Sequence, residues 1–134
     1  LGVPSFAISN ISHNPRHLDA AAIFAVKLGR RILDHGMPED TMLNVNLPDL
    51  PYAELAGVAI TRMGRRNYQD EIVRREDPRG RVYYWIGGAE PTHVRESGTD
   101  FEAIEKGQVS ITPLHRDLTN HAAMHHFFEP QIEL

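Results

Sequence analysis

The stretch VPSFAISNISHNPRHLDAAAIFAVKLGRRILDHGMPEDTMLNVNLP, residues 3–48, decides the fold. Its first segment, residues 3–9, is a short apolar run with Pro4 near the start, where a strand tolerates the missing N–H. Residues 10–14 are polar and read as a loop. Asn14 followed by Pro15 is expected to open a helix, Asn accepting first-turn amides and Pro lacking a donor that would go unpaired there. Leu18, Ala21, Ala25, Leu28 and Ile32 then recur at helical spacing as far as His35. Ile23, Phe24, Val26 and Leu33 widen the stripe, so more than one side of the helix is expected to be covered. Gly36 and then Pro38 stand in the order that ends a helix. Residues 41–47 (TMLNVNL) form the next strand, stopped by Pro48, Asp49 and Pro51. Strand, helix and strand make a βαβ unit, whose strands run parallel through a right-handed crossover. Two parallel strands cannot build a sheet alone, so further strands are expected to flank the unit from outside the chain.

Beyond this unit the pattern changes. Residues 58–63 read as a strand, with the basic cluster Arg62, Arg65 and Arg66 around Gly64. Residues 70–76 and 81–86 flank Asp77-Pro78-Arg79-Gly80, which places Pro and Gly where a type I turn favours them. The result is a long β-hairpin, with Val82, Tyr84 and Ile86 on one face and Tyr83 and Trp85 on the other. A hairpin covers neither face by itself, and this one is expected to pack on a surface outside its own fold. Residues 87–98 are a polar loop, 99–106 a short helix with an acidic first turn, and 108–114 (QVSITPL) a last strand. Asp117 is placed to cap a final helix running through Phe128. No internal repeat is evident.

The 134 residues are 41% hydrophobic and 24% charged, which excludes collagen-like, low-complexity and wholly disordered chains. Fourteen basic against eighteen acidic side chains leave a net charge of −4, a poor match to the polyanion of duplex nucleic acid. The absence of cysteine excludes disulfides, thiolate zinc sites and cysteine nucleophiles, and is compatible with a cytoplasmic location. No apolar run reaches the length of a membrane span, and no signal peptide opens the chain. It starts at Leu1 rather than Met and reads at once as the interior of a domain, so a portion of a longer protein is expected.

The ordered blocks LGVPSFAIS, MLNVNLP, GVAITRMGRR, DPRGRVYYWIGG and GTDFEAIEKGQVSITPLHRDLTNH resemble the C-terminal part of the SurE family. These are the stationary-phase survival proteins, metal-dependent 5′/3′-nucleotidases, and the resemblance runs from Leu1 to about His121. It implies an α/β chain, the C-terminal portion of a Rossmann-type three-layer fold with an extended β-hairpin and a swapped C-terminal tail. Residues 1–63 would be the end of the α/β domain. Residues 64–134 would supply the oligomerisation hairpin, the last strand and the helical tail. The implied activity is hydrolysis of nucleoside monophosphates to nucleoside and phosphate in a homo-oligomer, dimer or tetramer, without nucleic acid or membrane partners. The implied cofactor is a divalent cation, Mg²⁺ or Mn²⁺. Its ligands in the family lie in a TNDDG-type motif, a downstream Ser and a SGxNxGxN-type loop, none of which occurs here, so no metal ligand or catalytic carboxylate is assigned to this chain. A non-catalytic oligomerisation module, inactive without an N-terminal half, is the rival expectation.

The candidate site residues each carry a plainer alternative. Arg65 and Arg66 suit a substrate phosphate, because guanidinium forks match phosphate oxygens; they can equally line a solvated loop or pair with acidic neighbours. Ser9 and Asn10 end a strand on the side where open α/β sheets hold ligands, and are expected at the rim of the active site or as a strand cap. Tyr83, Tyr84 and Trp85 can stack on a base, but burial at a subunit contact is favoured. In the family reading Tyr84, Trp85, Asp117 and His121 take part in subunit exchange. His121 and His125, with His115, Asp117 and His126 near, have zinc-compatible spacing but no third ligand in a known pattern. Gly64 and Gly80 lack the context of a nucleotide-binding loop. The acidic residues Glu39, Asp40, Asp70, Glu71, Glu76 and Asp77 are dispersed at strand ends and turns, as solvated edge charges.

Overall fold

A computed structural model of the chain describes residues 3–67, 70–88, 92–115 and 117–128. Strand β1 (Ser5–Asn10), helix α1 (Leu18–His35) and strand β2 (Thr41–Leu47) form the expected βαβ unit, and β1 pairs with β2 in parallel from Ser5↔Met42 to Asn10↔Leu47. A 3-10 turn (Tyr52–Glu54) leads to β3 (Val58–Ile60). Two short strands, β4 (Arg66–Asn67) and β7 (Thr92–His93), pair antiparallel and bracket the hairpin of β5 (Asp70–Glu76) and β6 (Val82–Gly88). Helix α2 (Asp100–Glu105), strand β8 (Val109–His115) and helix α3 (His121–Phe128) complete the chain.

The central sheet has the order β1-β2-β8-β3. Strand β8 lies antiparallel to β2 and parallel to β3, and so joins two strands that do not touch each other. Alternation along β2 sets the two faces of the sheet. Leu43, Val45 and Leu47 point to one side, where Val45, Leu47, Val109 and Ile111 pack with Phe24 and Leu28 of α1. Val45 is fully buried and Leu47 is 1% exposed, so the core lies between this face and α1.

Three local expectations are corrected. Helix α1 begins at Leu18 rather than at Asn14-Pro15, and His17 at its N-cap makes no side-chain capping bond. The Asp49 carboxylate, just past β2, instead accepts from the amides of Arg16 (3.0 and 3.1 Å) and His17 (2.9 Å), satisfying the start of the helix from a distant part of the chain. Asp117 does not cap α3 either. The Asn120 side chain does, accepting from the amide of Ala123 at 3.0 Å, while Asp117 accepts from Thr119 N at 2.8 Å. Residues 87–98, expected as loop throughout, include β7. The end of α1 follows expectation: Gly36, at φ +73°, donates its N–H to the Ile32 carbonyl at 2.8 Å. The hairpin turn does too, with Gly80 N donating to Asp77 O at 2.9 Å and Asp77 Oδ1 accepting from Arg79 and Arg81 N at 2.8 Å.

Candidate functional site

The sheet face opposite the core is polar. Parallel and antiparallel register set Ser9, Asn46 and Ser110 in one row across β1, β2 and β8, and Ala7, Asn44 and Thr112 in the next. Its inner part is closed by hydroxyls: Thr61 Oγ1 lies 2.8 Å from Ser110 Oγ and 2.7 Å from Thr112 Oγ1, all three residues buried. Asn44 and Asn46 are only half-buried and open onto a cleft of about 440 Å³. Met63, Gly64 and Arg66 form one wall of it, and Asp100, Phe101 and Ile104 of α2 contribute another. Strand alternation carries the signal for this pair of amides: with Leu43, Val45 and Leu47 inward, Asn44 and Asn46 must share the other face.

The loop after β3 is fastened to the start of α2. Arg62 N donates to Gly98 O at 3.0 Å, Asp100 N to Arg62 O at 3.1 Å, and Gly64 N to Asp100 Oδ1 at 2.7 Å. Thr99 caps α2 by accepting from Glu102 N at 3.3 Å, and Glu102 Oε2 accepts in return from Gly98 N at 2.7 Å. Gly64 packs so closely that a Cβ there would stand 2.3 Å from Phe101 Cδ2. Only glycine fits this approach without displacing the ring.

The three arginines part company. Glu96 pairs with Arg65, and its other oxygen lies 2.9 Å from Arg62. The Arg65 guanidinium, then that of Arg62, holds the Glu96 carboxyl below the usual carboxylate range, while Glu96 raises Arg65. Arg66 has no carboxylate partner among the described residues. Its guanidinium carbon lies 5.9 Å from the centroid of Phe101, a ring that His93 stacks at 4.4 Å. Of the arginines singled out in the sequence, Arg66 is thus the one whose charge faces the cleft uncompensated by these neighbours.

Ser9 and Asn10 point to opposite faces. Ser9 stands beside Asn46 on the polar side, whereas Asn10 turns toward Asp49 and donates its Nδ2 to Oδ1 at 3.1 Å. The Asn10 Oδ1 is buried with no hydrogen-bond partner among the described residues. Asp49 had no functional reading in the sequence, yet it gathers the ends of β1 and β2 and the start of α1. Its carboxyl is lowered first by the Arg16 amide, then by His17 N and the Asn10 side chain, against partial desolvation.

Tyr84 and Trp85 are 64% and 61% exposed on β6, and Ile72 of β5 is exposed as well. Asp117 Oδ2 and His121 Nε2 lie 2.5 Å apart within one chain, and His121 heads the causes that lower the Asp117 carboxyl to about 2. The side chains of His125 and His126 lie outside the described part, and the charge of His115 is the least of the causes that lower Asp117. Among the described residues no three His, Asp or Glu side chains gather into a group able to hold a metal ion. The carboxylates nearest the cleft are already engaged, Asp100 by the amides of Gly64 and Phe101 and Glu96 by two arginines. These donors do not fit the divalent cation that the sequence resemblance implies. No described helix is long and apolar enough to cross a membrane.

Comparison with known proteins places this geometry. The family described as Survival protein SurE matches residues 1–70. The chain is 51% identical over 125 residues to the 5′-nucleotidase SurE of Geobacter sulfurreducens, covering 92% of this chain and 48% of that protein. It is 48% identical over 121 residues to the 5′-nucleotidase SurE of Methylococcus capsulatus, covering 90% and 48%. The crystal structure of the SurE protein from Aquifex aeolicus superposes with a TM-score of 0.76 at 38% identity, over 96% of this chain and 52% of that one. The chain spans about half the length of the relatives it matches. By sequence and by fold, the chain belongs to the SurE family.

Proposed function

We propose that this chain is the C-terminal portion of a SurE-type nucleotidase that hydrolyses nucleoside monophosphates to nucleoside and phosphate in the cytoplasm. The observation that carries the proposal is the 51% identity over 125 residues to a protein named 5′-nucleotidase SurE. Arg66 is the first phosphate-binding residue, because its charge is free of the described carboxylates, and Arg65 is the second, held in reserve by Glu96. Ser9 borders the site at the end of β1, and Asn10 holds that strand end in place through Asp49. The divalent cation, Mg²⁺ or Mn²⁺, is bound by residues outside this chain. The hairpin with Tyr84 and Trp85 and the tail with Asp117 and His121 serve subunit exchange in a homo-oligomer, and residues 64–134 form the assembling part. The net charge of −4 speaks against nucleic acid as partner.

A second reading is a non-catalytic assembly module. It is favoured by one observation, the absence of a metal-holding group among the described residues. Assaying AMP hydrolysis with Mn²⁺ separates the two, using the 134-residue chain and the same chain joined to the sequence that precedes it in its gene. Hydrolysis by the longer protein supports the nucleotidase, and hydrolysis by neither leaves the assembly module.

A further inference from the structure

We propose that the cleft between β2 and α2 holds the nucleoside part of the substrate, with Asn44 and Asn46 reading its hydrogen-bonding groups and Arg66 its phosphate. The inference rests on the nucleotidase reading and adds to it where, and by which side chains, the base and sugar are held.

The ligand class follows from the donor set. Asn44 and Asn46 lie two positions apart on one strand, roughly 6.5–7 Å along it, and present their amides to the same cleft. Neither side chain has a hydrogen-bond partner among the described residues, and neither is closed off from water as the Thr61–Ser110–Thr112 cluster beside them is. Each amide is both donor and acceptor, matching the mixed donor and acceptor pattern of bases and of ribose hydroxyls. Among the described residues the carboxylate that lines the cleft, Asp100, is committed to the amides of Gly64 and Phe101, and Glu96 beyond it is answered by Arg62 and Arg65. Met63 and Phe101 give the cleft apolar surface suited to a flat ring. A cation at one end, neutral amides along the floor and apolar walls describe a molecule with one anionic end, a polar middle and a planar body. That is a nucleoside monophosphate, and about 440 Å³ lies within the usual size of small-molecule sites. Ser9 extends the same row toward β1, next to Asn46.

The test is titration of the 134-residue chain with AMP, ribose 5-phosphate and inorganic phosphate, followed by nuclear magnetic resonance at the Asn44 and Asn46 side-chain amides and the Gly64 amide. AMP is expected to shift all three resonances, and inorganic phosphate to leave the two asparagine amides in place. Asn44→Ala, and the isosteric Asn46→Asp as a variant that preserves volume, should each weaken AMP binding about tenfold, the loss of one hydrogen bond. Unchanged melting temperatures keep folding out of the comparison. AMP binding that leaves both asparagine amides unmoved overturns the proposal. So does a response to ribose 5-phosphate equal to that to AMP, which denies the base any part. Hydrolysis of AMP by the longer protein is scored separately. Hydrolysis without asparagine shifts sinks the cleft and keeps the nucleotidase; asparagine shifts without hydrolysis keep the cleft and sink the nucleotidase.

Discussion

Asn10 donates its side-chain amide to Asp49 at 3.1 Å, tying the last residue of β1 to the turn that follows β2 across 39 positions of sequence. Asp49 also receives the amides of Arg16 and His17, so one carboxylate fixes the relative height of two strands and a helix start. Its proton affinity is lower in the folded chain than the ordinary 3.8. A depressed carboxyl contributes stability above its unfolded value and loses it as pH falls through the folded one. Melting temperature is therefore expected to drop below about pH 4, and Asp49→Asn should flatten that part of the profile while lowering stability at neutral pH. Identical acid profiles for the two proteins would remove Asp49 from this role.

Arg66→Ala is expected to raise the KM for AMP about tenfold in the longer protein, with kcat less affected, because an interaction common to bound substrate and transition state is lost. Arg65→Ala should have a smaller effect, since its guanidinium already answers Glu96. Steady-state kinetics on both variants decide the order, and equal effects would mean that Glu96 releases Arg65 when substrate arrives.

Gly64→Ala forces a methyl group against Phe101, whose ring atoms would lie 2.3 and 2.8 Å away. The ring must move, which costs about 1–3 kcal/mol and disturbs the cleft wall and the His93 stack together. Urea unfolding measures the first effect. A variant as stable as the parent would show that the loop slides away from α2 at no cost.

Thr61→Val removes the hydroxyl shared by Ser110 and Thr112 in a buried site. Leaving two buried hydroxyls short of a partner costs about 1–3 kcal/mol. The midpoint of denaturant unfolding should fall accordingly, with no change in slope. An unmoved midpoint would place the energetic weight elsewhere on this face.

Trp85→Glu puts a charge on the exposed face of the hairpin. Light scattering is expected to show a smaller assembly than the parent forms, and an unchanged mass would detach Trp85 from subunit contact.

Much of the frame was legible in the amino acids. The 41–47 strand, the body and C-terminal end of the long helix and the Asp77-Pro78-Arg79-Gly80 turn follow from local periodicity and turn chemistry, and each stands where the pattern puts it. Elements built by distant partners left no such trace. The cap on α1 comes from Asp49, not from Asn14, and β4 and β7 are two residues each, too short to display a period. The position of β8 between β2 and β3 depends on pairing across the chain, which alternation within QVSITPL cannot state. At the site, a cluster of arginines was visible in sequence, but its division was not. Glu96, 31 residues from Arg65, decides which charges are answered.

The placement of β8 also orders events at the ribosome. Thr61 and its partner Ser110 are 49 residues apart, which at ordinary translation speed is about 2–10 s of synthesis. Throughout that interval β2 and β3 have both left the peptidyl-transferase centre and have nothing to hold them together. The nascent chain must wait with an open seam, its apolar Val45 and Leu47 depending on α1 for cover, until the joining strand emerges. A pause in translation between residues 61 and 109 should therefore lengthen the chain's dependence on chaperones, whereas a pause after β8 has cleared the ribosome should not.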